Sequence, residues 1–262
     1  MTPNAVSEYE SFADIYEVWT SSAASADNNL KFYVDTYQAT EGLVVELGVG
    51  DGRIAIEAAI RGCTITGVDK SPAMLNLCRV RAARSGVLDR ITLVEADFRD
   101  FEISEPAGLI ALPYHSIGHL LTINEKRDAM RHIFECLRSG GLFVFDDFLM
   151  TPALIKHMRE VQLRAVYLSV SGADHLLWVT SLVKEADQSI AVVTWEDILD
   201  MSGTLTERRY RRLSLTWLEP NQARNLLEEV GFTIEAHYGD FEYTPFETAS
   251  ANEQVWVARK PR

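Results

Sequence analysis

Residues 43–53, Leu43-Val44-Val45-Glu46-Leu47-Gly48-Val49-Gly50-Asp51-Gly52-Arg53, constrain the fold more than any other stretch. The run from Leu43 to Leu47 is largely aliphatic and β-branched, the pattern of a buried parallel strand. Three glycines follow at alternate positions, and then a helix-like run from Ile54 to Ile60. Glycine has no Cβ, so the backbone can turn sharply here and approach a ligand closely. The first N–H groups of the following helix have no partner within it and are left for that ligand. Strand, glycine turn and helix predict the opening of an α/β sheet whose ligand sits beyond the carboxyl ends of the strands.

The spacing of the glycines narrows the ligand. A dinucleotide fingerprint is G-x-G-x-x-G, whereas this chain has Gly48-x-Gly50-x-Gly52 preceded by the acid Glu46. A second acid, Asp69, ends the next predicted strand (Cys63 to Asp69), where a carboxylate can accept from both hydroxyls of a ribose. Nicotinamide enzymes place an acid at similar spacing, so Asp69 alone leaves an oxidoreductase open. A third strand, Ile91 to Ala96, runs into Asp97-Phe98. Together the E-x-G-x-G-x-G turn, Asp69 and Asp97-Phe98 resemble the class I S-adenosylmethionine-dependent methyltransferases. That resemblance implies a Rossmann-like α/β fold with a seven-stranded, mostly parallel sheet and helices on both faces. It implies that Glu46, Gly48 and Gly50 hold the methionine end of S-adenosyl-L-methionine, Asp69 the ribose, and Asp97 and Phe98 the adenine. Lys70, Met74 and Leu112 complete the implied cofactor set.

The rest of the chain alternates as such a sheet requires. Ser71-Pro72 is a helix start, and Gly86 closes that helix. Leu109 to Leu112 is the fourth strand. Thr122-x-x-Glu125 is a capping box opening a helix with an apolar face of Ala129, Ile133 and Leu137, which Gly140-Gly141 is expected to end. Leu142 to Phe145 is the fifth strand, ending in Asp146-Asp147; these acids either contact a substrate or cap the strand. From 151 to 217 the alternation breaks. After a short helical piece, β-rich runs at about Arg164–Ser169, Leu176–Lys184, Ile190–Leu199 and Leu205–Trp217 are separated by turn formers, predicting an antiparallel meander. Glu219-Pro220 starts a helix, and two strands, Phe232 to Tyr238 and Val255 to Arg259, close the chain. Three parts result: an N-terminal helical lid at 1–41, a Rossmann-like core at 42–150 and 218–262, and a β-rich cap over the active site at 151–217. In the first part Tyr9, Phe12, Ile15, Tyr16, Trp19 and then Leu30, Tyr33, Val34, Tyr37 recur at helical spacing, a pattern that serves a lid or plain core equally.

Which acceptor such an enzyme takes is less tightly written. The loop after strand four, Pro113-Tyr114-His115-Ser116-Ile117-Gly118-His119, holds two of the six histidines of the chain. Imidazole titrates near neutral pH and can accept a proton there. Ser-Ile-Gly-His resembles the loop of small-molecule N-methyltransferases of the amino-sugar type, which implies that His119 faces the substrate amine. Phe12-Ala13-Asp14-Ile15-Tyr16-Glu17 resembles an early segment of that family and brings Tyr16 to the acceptor. N-methylation of a sugar-like metabolite is therefore expected, with O- or C-methylation of a small metabolite, or a non-catalytic cofactor-binding protein, as alternatives. Leu112-Pro113-Tyr114 lacks the Asn/Asp-Pro-Pro-Tyr signature of enzymes that methylate bases and amides.

Charge agrees with a small acceptor. The net charge is −13, and the first fifty residues hold eight acids against the single base Lys31. Gripping a nucleic-acid backbone needs clustered Lys and Arg, so no nucleic-acid partner is expected; acidity of this kind also serves plain solubility. The run Arg208-Arg209-Tyr210-Arg211-Arg212 lies in a predicted strand, where alternation splits the arginines two and two and suits a solvated cap strand. Any homodimer is expected to form through this β cap. No apolar run reaches the ~18 residues that span a bilayer. Cys63, Cys78 and Cys136 lack metal-ligand spacing, so no metal site and a reduced, cytoplasmic compartment are expected.

Overall fold

The computed structural model describes residues 12, 15, 18, 26–168 and 174–262. They group into two units: residues 25–149 with 217–262, and residues 150–216 with the described residues of the first 24.

The larger unit is built on a seven-stranded sheet. Its elements in chain order are α1 (Ala26–Gln38), β1 (Val44–Leu47), α2 (Arg53–Ile60), β2 (Ile65–Asp69), α3 (Pro72–Arg84), β3 (Ile91–Glu95), β4 (Ala107–Leu112), α4 (Ile123–Cys136) and β5 (Leu137–Phe148). After the smaller unit the core resumes with its last helix (Pro220–Val230) and last two strands (Thr233–Tyr238 and Glu253–Arg259). The final strand pairs antiparallel with β5 and with the strand before it, while β1 pairs parallel with both β2 and β4. The sheet order reverses between β1 and β4, and such a reversal opens a crevice at the strand tips.

Alternation along the strands sends residues to two separate cores. Val44, Ile65, Leu109, Ala111 and Val144 pack with residues of α1, α2 and α3. Val45, Leu47, Ile110, Leu112, Phe143 and Phe145 pack with Ala129, Met130 and Ile133 of α4 and with Ala223, Leu226 and Leu227 of the last helix. Phe32, Tyr33, Val34 and Tyr37 of α1 belong to the first core, so the second half of the expected lid is core packing. Tyr16, Tyr9 and Trp19 lie outside the described residues.

One boundary departs from expectation. The helix expected to run on to Gly140-Gly141 ends at Cys136, and β5 already starts at Leu137. Leu137 pairs with Ala107 of β4, while the N–H of Gly140 donates to the Lys260 carbonyl and that of Lys260 to the Gly141 carbonyl, both at 2.9 Å. Pairing on both sides turns a stretch with helical spacing into strand.

The smaller unit contains α5 (Pro152–Arg159) and an antiparallel sheet of β6 (Gln162–Leu168), β7 (Asp174–Lys184), β8 (Ser189–Leu199) and β9 (Leu205–Thr216), in that order. With this unit numbered, the last core helix is α6 and the last two core strands are β10 and β11. Each meander strand matches its sequence expectation to within a few residues. The arginine run alternates as expected, but Arg211 is buried and paired with Glu196 at 3.3 Å. A wholly solvated strand is therefore not what forms. Trp195 and Glu196, adjacent on β8, take opposite faces: Trp195 stacks with Trp178, while Glu196 is buried.

Candidate active site

The glycine turn sits at the tip of β1. Gly48, Gly50 and Gly52 all have positive φ, at 68°, 56° and 84°, which glycine adopts without steric cost. The N–H groups of Gly48 and Val49 donate to the Val68 carbonyl of β2 at 2.8 and 3.0 Å. At Gly48 the neighbours come from two other strand ends. A Cβ there would stand 3.1 Å from Ser116 Oγ and 3.4 Å from Phe98 Cζ. The turn after β1, the segment after β3 and the loop after β4 thus converge on one glycine.

Asp69 at the tip of β2 holds this turn together. Its Oδ2 accepts from the Gly50 N–H at 3.0 Å and its Oδ1 from the Ser71 N–H at 2.9 Å. Each carboxylate oxygen has two lone pairs, so capacity for further donors remains. Burial raises its pKa, against the opposing pull of those backbone donors. Ser71 in turn caps α3 by accepting from the Met74 N–H, which fixes Met74, itself buried, at the start of that helix.

Glu46 is buried, and Tyr37 Oη donates to its Oε2 at 3.0 Å. Burial drives its pKa up to about 8, partly offset by the Tyr37 hydrogen bond and by Arg53. Asp97 behaves differently. Its carboxylate is gripped by the Arg99 guanidinium at 2.7 and 2.9 Å, and its pKa is lowered: Arg99 outweighs the upward push of partial burial, which is the largest single contribution. Leu112 is wholly within the core, so its main chain is what β4 leaves at the tip. Lys70 is exposed.

The loop after β4 is strained and tightly held. Tyr114 and His115 adopt φ of 62° and 55°, left-handed values that non-glycine residues rarely take. Asp146 at the tip of β5 accepts both of their N–H groups, at 2.9 and 2.8 Å. The short 3-10 turn Ser116–His119 follows, and Lys126 Nζ of α4 donates to the Ile117 carbonyl at 2.6 Å. Burial lowers the pKa of Lys126 to about 8. His119 lies within electrostatic reach of Lys70 and Lys126; burial first, and those cations second, hold its pKa down at about 3. His115 is the opposite case. Its Nε2 pairs with Glu253 Oε2 at 2.9 Å and its ring stacks on Phe148. Glu253 and the nearby Asp146 carry its pKa to about 9 in spite of burial. Asp147 accepts from the N–H groups of Phe148 and Leu218 at 2.8 Å each, tying β5 to the point where the chain re-enters the core. Both acids of Asp146-Asp147 therefore have internal partners.

The sequence brings Glu46, Gly48, Gly50, Asp69, Phe98 and the 113–119 loop into view, and the structure gathers them at adjacent strand tips. Tyr33, Tyr37, Arg53 and Lys126 were not singled out. Tyr33 and Tyr37 stand four apart, on one helical face, but nothing local tells that they reach Asp146 and Glu46.

A sheet that reverses beside a glycine turn, with a carboxylate on the neighbouring strand, defines a Rossmann-like nucleotide-binding domain. Within it, residues 44–141 match the model of the methyltransferase domain family. An uncharacterized methyltransferase of Geobacillus thermodenitrificans is 30% identical over 152 residues, which cover 52% of this chain and 66% of that relative. The chain thus spans just under two thirds of that protein. Among solved structures, the CcbJ methyltransferase of Streptomyces caelestis superposes with a TM-score of 0.77 at 24% identity, covering 96% of both chains. An amino pentose methyltransferase of Micromonospora echinaspora, solved with S-adenosylmethionine bound, superposes with a TM-score of 0.71 at 18% identity over 94% of this chain and 96% of that one. The methyltransferase fold read from the sequence is therefore the fold the chain has. Among the described residues, no helix is long and apolar enough to cross a membrane.

Proposed function

We propose that this protein transfers the methyl group of S-adenosylmethionine to an amine of a small, sugar-like acceptor. The observation that carries this reading is the convergence on Gly48 of Phe98 and Ser116, with Asp69 bonded to Gly50. Those tips offer what the cofactor needs. Asp69 has spare acceptor capacity for ribose hydroxyls, and Glu46 can face an ammonium. Gly48 leaves the room a side chain would fill. Phe98 supplies an apolar face for adenine, with Asp97 forked by Arg99 beside it. Lys70, Met74 and the main chain of Leu112 border the same region. Bound there, the cofactor supplies an electrophilic methyl on a sulfonium.

The chain's own contribution to the acceptor is the loop that ends in His119. With its conjugate acid at about 3, that imidazole is neutral at working pH. A neutral ring accepts a hydrogen bond and orients an amine, but it does not store the proton. The amine then binds as its free base, and its proton leaves to solvent. Tyr16 is proposed to border the same acceptor. The amino pentose specificity of a protein with this fold supports a sugar amine over a phenol.

The experiment is incubation with S-adenosylmethionine and parallel panels of amino sugars and phenols, followed by product mass. Amine methylation, weakened at least tenfold by His119→Ala and less by His119→Gln, is the expected result. Transfer only to oxygen would discard the amine reading. Failure to bind S-adenosylhomocysteine in a calorimeter would discard the methyltransferase activity itself.

A further inference from the structure

We propose that Asp146 is a positioning residue for the acceptor: it clamps the Tyr114–His115 turn in its left-handed shape and thereby fixes Ser116–His119 against the glycine turn. This rests on the reading of the 113–119 loop as the acceptor wall.

Two successive non-glycine residues at φ of 62° and 55° are each strained. Two successive N–H groups in such a turn point the same way and form a concavity for an anion. The anion here is the side chain of Asp146. Its Oδ1 takes the Tyr114 N–H at 2.9 Å and its Oδ2 the His115 N–H at 2.8 Å. The carboxylate has no exposed surface, and Tyr33 Oη of α1 donates to Oδ1 at 2.5 Å. The His115 side chain pairs with Glu253 at 2.9 Å and stacks on Phe148 at 3.9 Å, with its Nε2 also 3.6 Å from Asp146 Oδ2, so the turn is held through its main chain and through its ring.

What the turn fixes is the loop downstream. The His115 carbonyl accepts the Gly118 N–H at 2.9 Å, opening the 3-10 turn. Ser116 Oγ donates to the Pro113 carbonyl at 2.6 Å, and the same oxygen is the nearest neighbour of a Cβ built on Gly48. Released from Asp146, Tyr114 and His115 would relax to negative φ, and the direction of the Ser116–His119 segment would change with them. Asp146 touches none of the reacting atoms; it acts through the loop.

Asparagine at 146 keeps the shape but offers one acceptor oxygen for two N–H groups. In Asp146→Asn the amide protons of Tyr114 and His115 are expected to exchange at least tenfold faster. Methyl transfer to an amine should lose at least tenfold in kcat, with S-adenosylhomocysteine affinity within threefold of wild type. Glycine adopts positive φ unaided, so Tyr114→Gly added to Asp146→Asn should recover a substantial part of the lost kcat. Unchanged exchange in a folded Asp146→Asn protein overturns the clamp, whatever the acceptor proves to be. So does a kcat loss that glycine fails to relieve and that cofactor affinity follows in parallel. If Asp146→Asn does not fold, Tyr33→Phe removes one donor and leaves both N–H bonds. It should lower kcat two- to fivefold with cofactor affinity unchanged, and an unaltered kcat there overturns the proposal. Because exchange is read without an acceptor, a wild-type protein that methylates no amine would sink the function proposed above while leaving the clamp to be judged by itself.

Discussion

Asp146 in the seven-stranded sheet and Glu196 in the four-stranded sheet are both buried carboxylates, and they are satisfied in opposite ways. Asp146 sits near the end of β5, one residue past its last pairing with β4, and takes two main-chain N–H groups and one tyrosine hydroxyl. Glu196 sits within β8 and is met by side chains. His175 Nδ1 of β7 is 2.5 Å away, Tyr167 Oη of β6 donates to the same oxygen, and Arg211 of β9 lies at 3.3 Å. Those donors hold its pKa below the ordinary range despite the upward push of burial. A mid-strand residue has its neighbours' main chain already committed to the ladder, so only side chains remain to satisfy it. A residue at a tip meets turns whose N–H groups are not so committed. Asp146 can therefore keep its main-chain partners while nearby side chains vary, whereas the buried charge of Glu196 stands or falls with three particular side chains.

If that distinction is right, Glu196→Ala has the largest effect on stability and the smallest on the cofactor. It leaves Arg211 and His175 buried without their carboxylate, at a cost of about 3 kcal/mol, read in the thermal unfolding transition, with S-adenosylhomocysteine affinity within twofold of wild type. A large loss of that affinity would break the separation of roles. Asp69→Asn should do the reverse. One amide oxygen cannot serve Gly50, Ser71 and a ribose, and cofactor affinity should fall about thirtyfold, or roughly 2 kcal/mol, while the unfolding midpoint moves little.

Glu46 sharpens the contrast through pH. Buried at the tip of β1, it binds its proton up to about pH 8, while an ammonium ligand needs it ionised. Affinity for S-adenosylhomocysteine should therefore rise with pH, by about tenfold per unit below 8, and level off above it. Glu46→Gln should abolish that slope. The same raised pKa works against stability as pH rises: the folded state holds a proton that the unfolded chain has released above its ordinary carboxylate value, so this contribution is lost between about pH 4 and 8. Calorimetry at intervals from pH 6 to 9, on both proteins, checks the binding slope. The smallest effect belongs to an exposed helix cap. Thr122 caps α4 by accepting from the Glu125 N–H at 3.1 Å, and Glu125 returns a bond to the Thr122 N–H. Thr122→Ala should cost about 1 kcal/mol and leave binding and turnover unchanged.

Much of this was legible in the chain. The glycine turn, the capping box at Thr122, the helix start at Glu219-Pro220 and the four meander strands are local patterns, and each formed within a few residues of where the pattern placed it. The end of α4 was not legible, because Leu137 to Gly141 follow a helical spacing and become strand only when Ala107 of β4 pairs with Leu137 and Lys260, just past β11, bonds to Gly140 and Gly141. His119 was legible as a histidine in the loop after the fourth strand. Its suppressed basicity was not, since that comes from burial and from Lys70 and Lys126, forty-nine positions upstream and seven downstream.

By itself the sequence determined the strand and helix periods, the positive-φ turn of three glycines, and the acids at residues 46, 69 and 97. These follow from what one residue and its near neighbours allow. Only the tertiary structure decided which of those acids keep lone pairs for a ligand and which are already engaged. Arg99 takes Asp97, the strained turn takes Asp146, and Asp69 is shared with the backbone of Gly50 and Ser71. Arg99 and Ser71 stand only two residues from the acids they serve, but Gly50 reaches Asp69, and Tyr114 and His115 reach Asp146, from separate strand ends whose proximity no local pattern encodes.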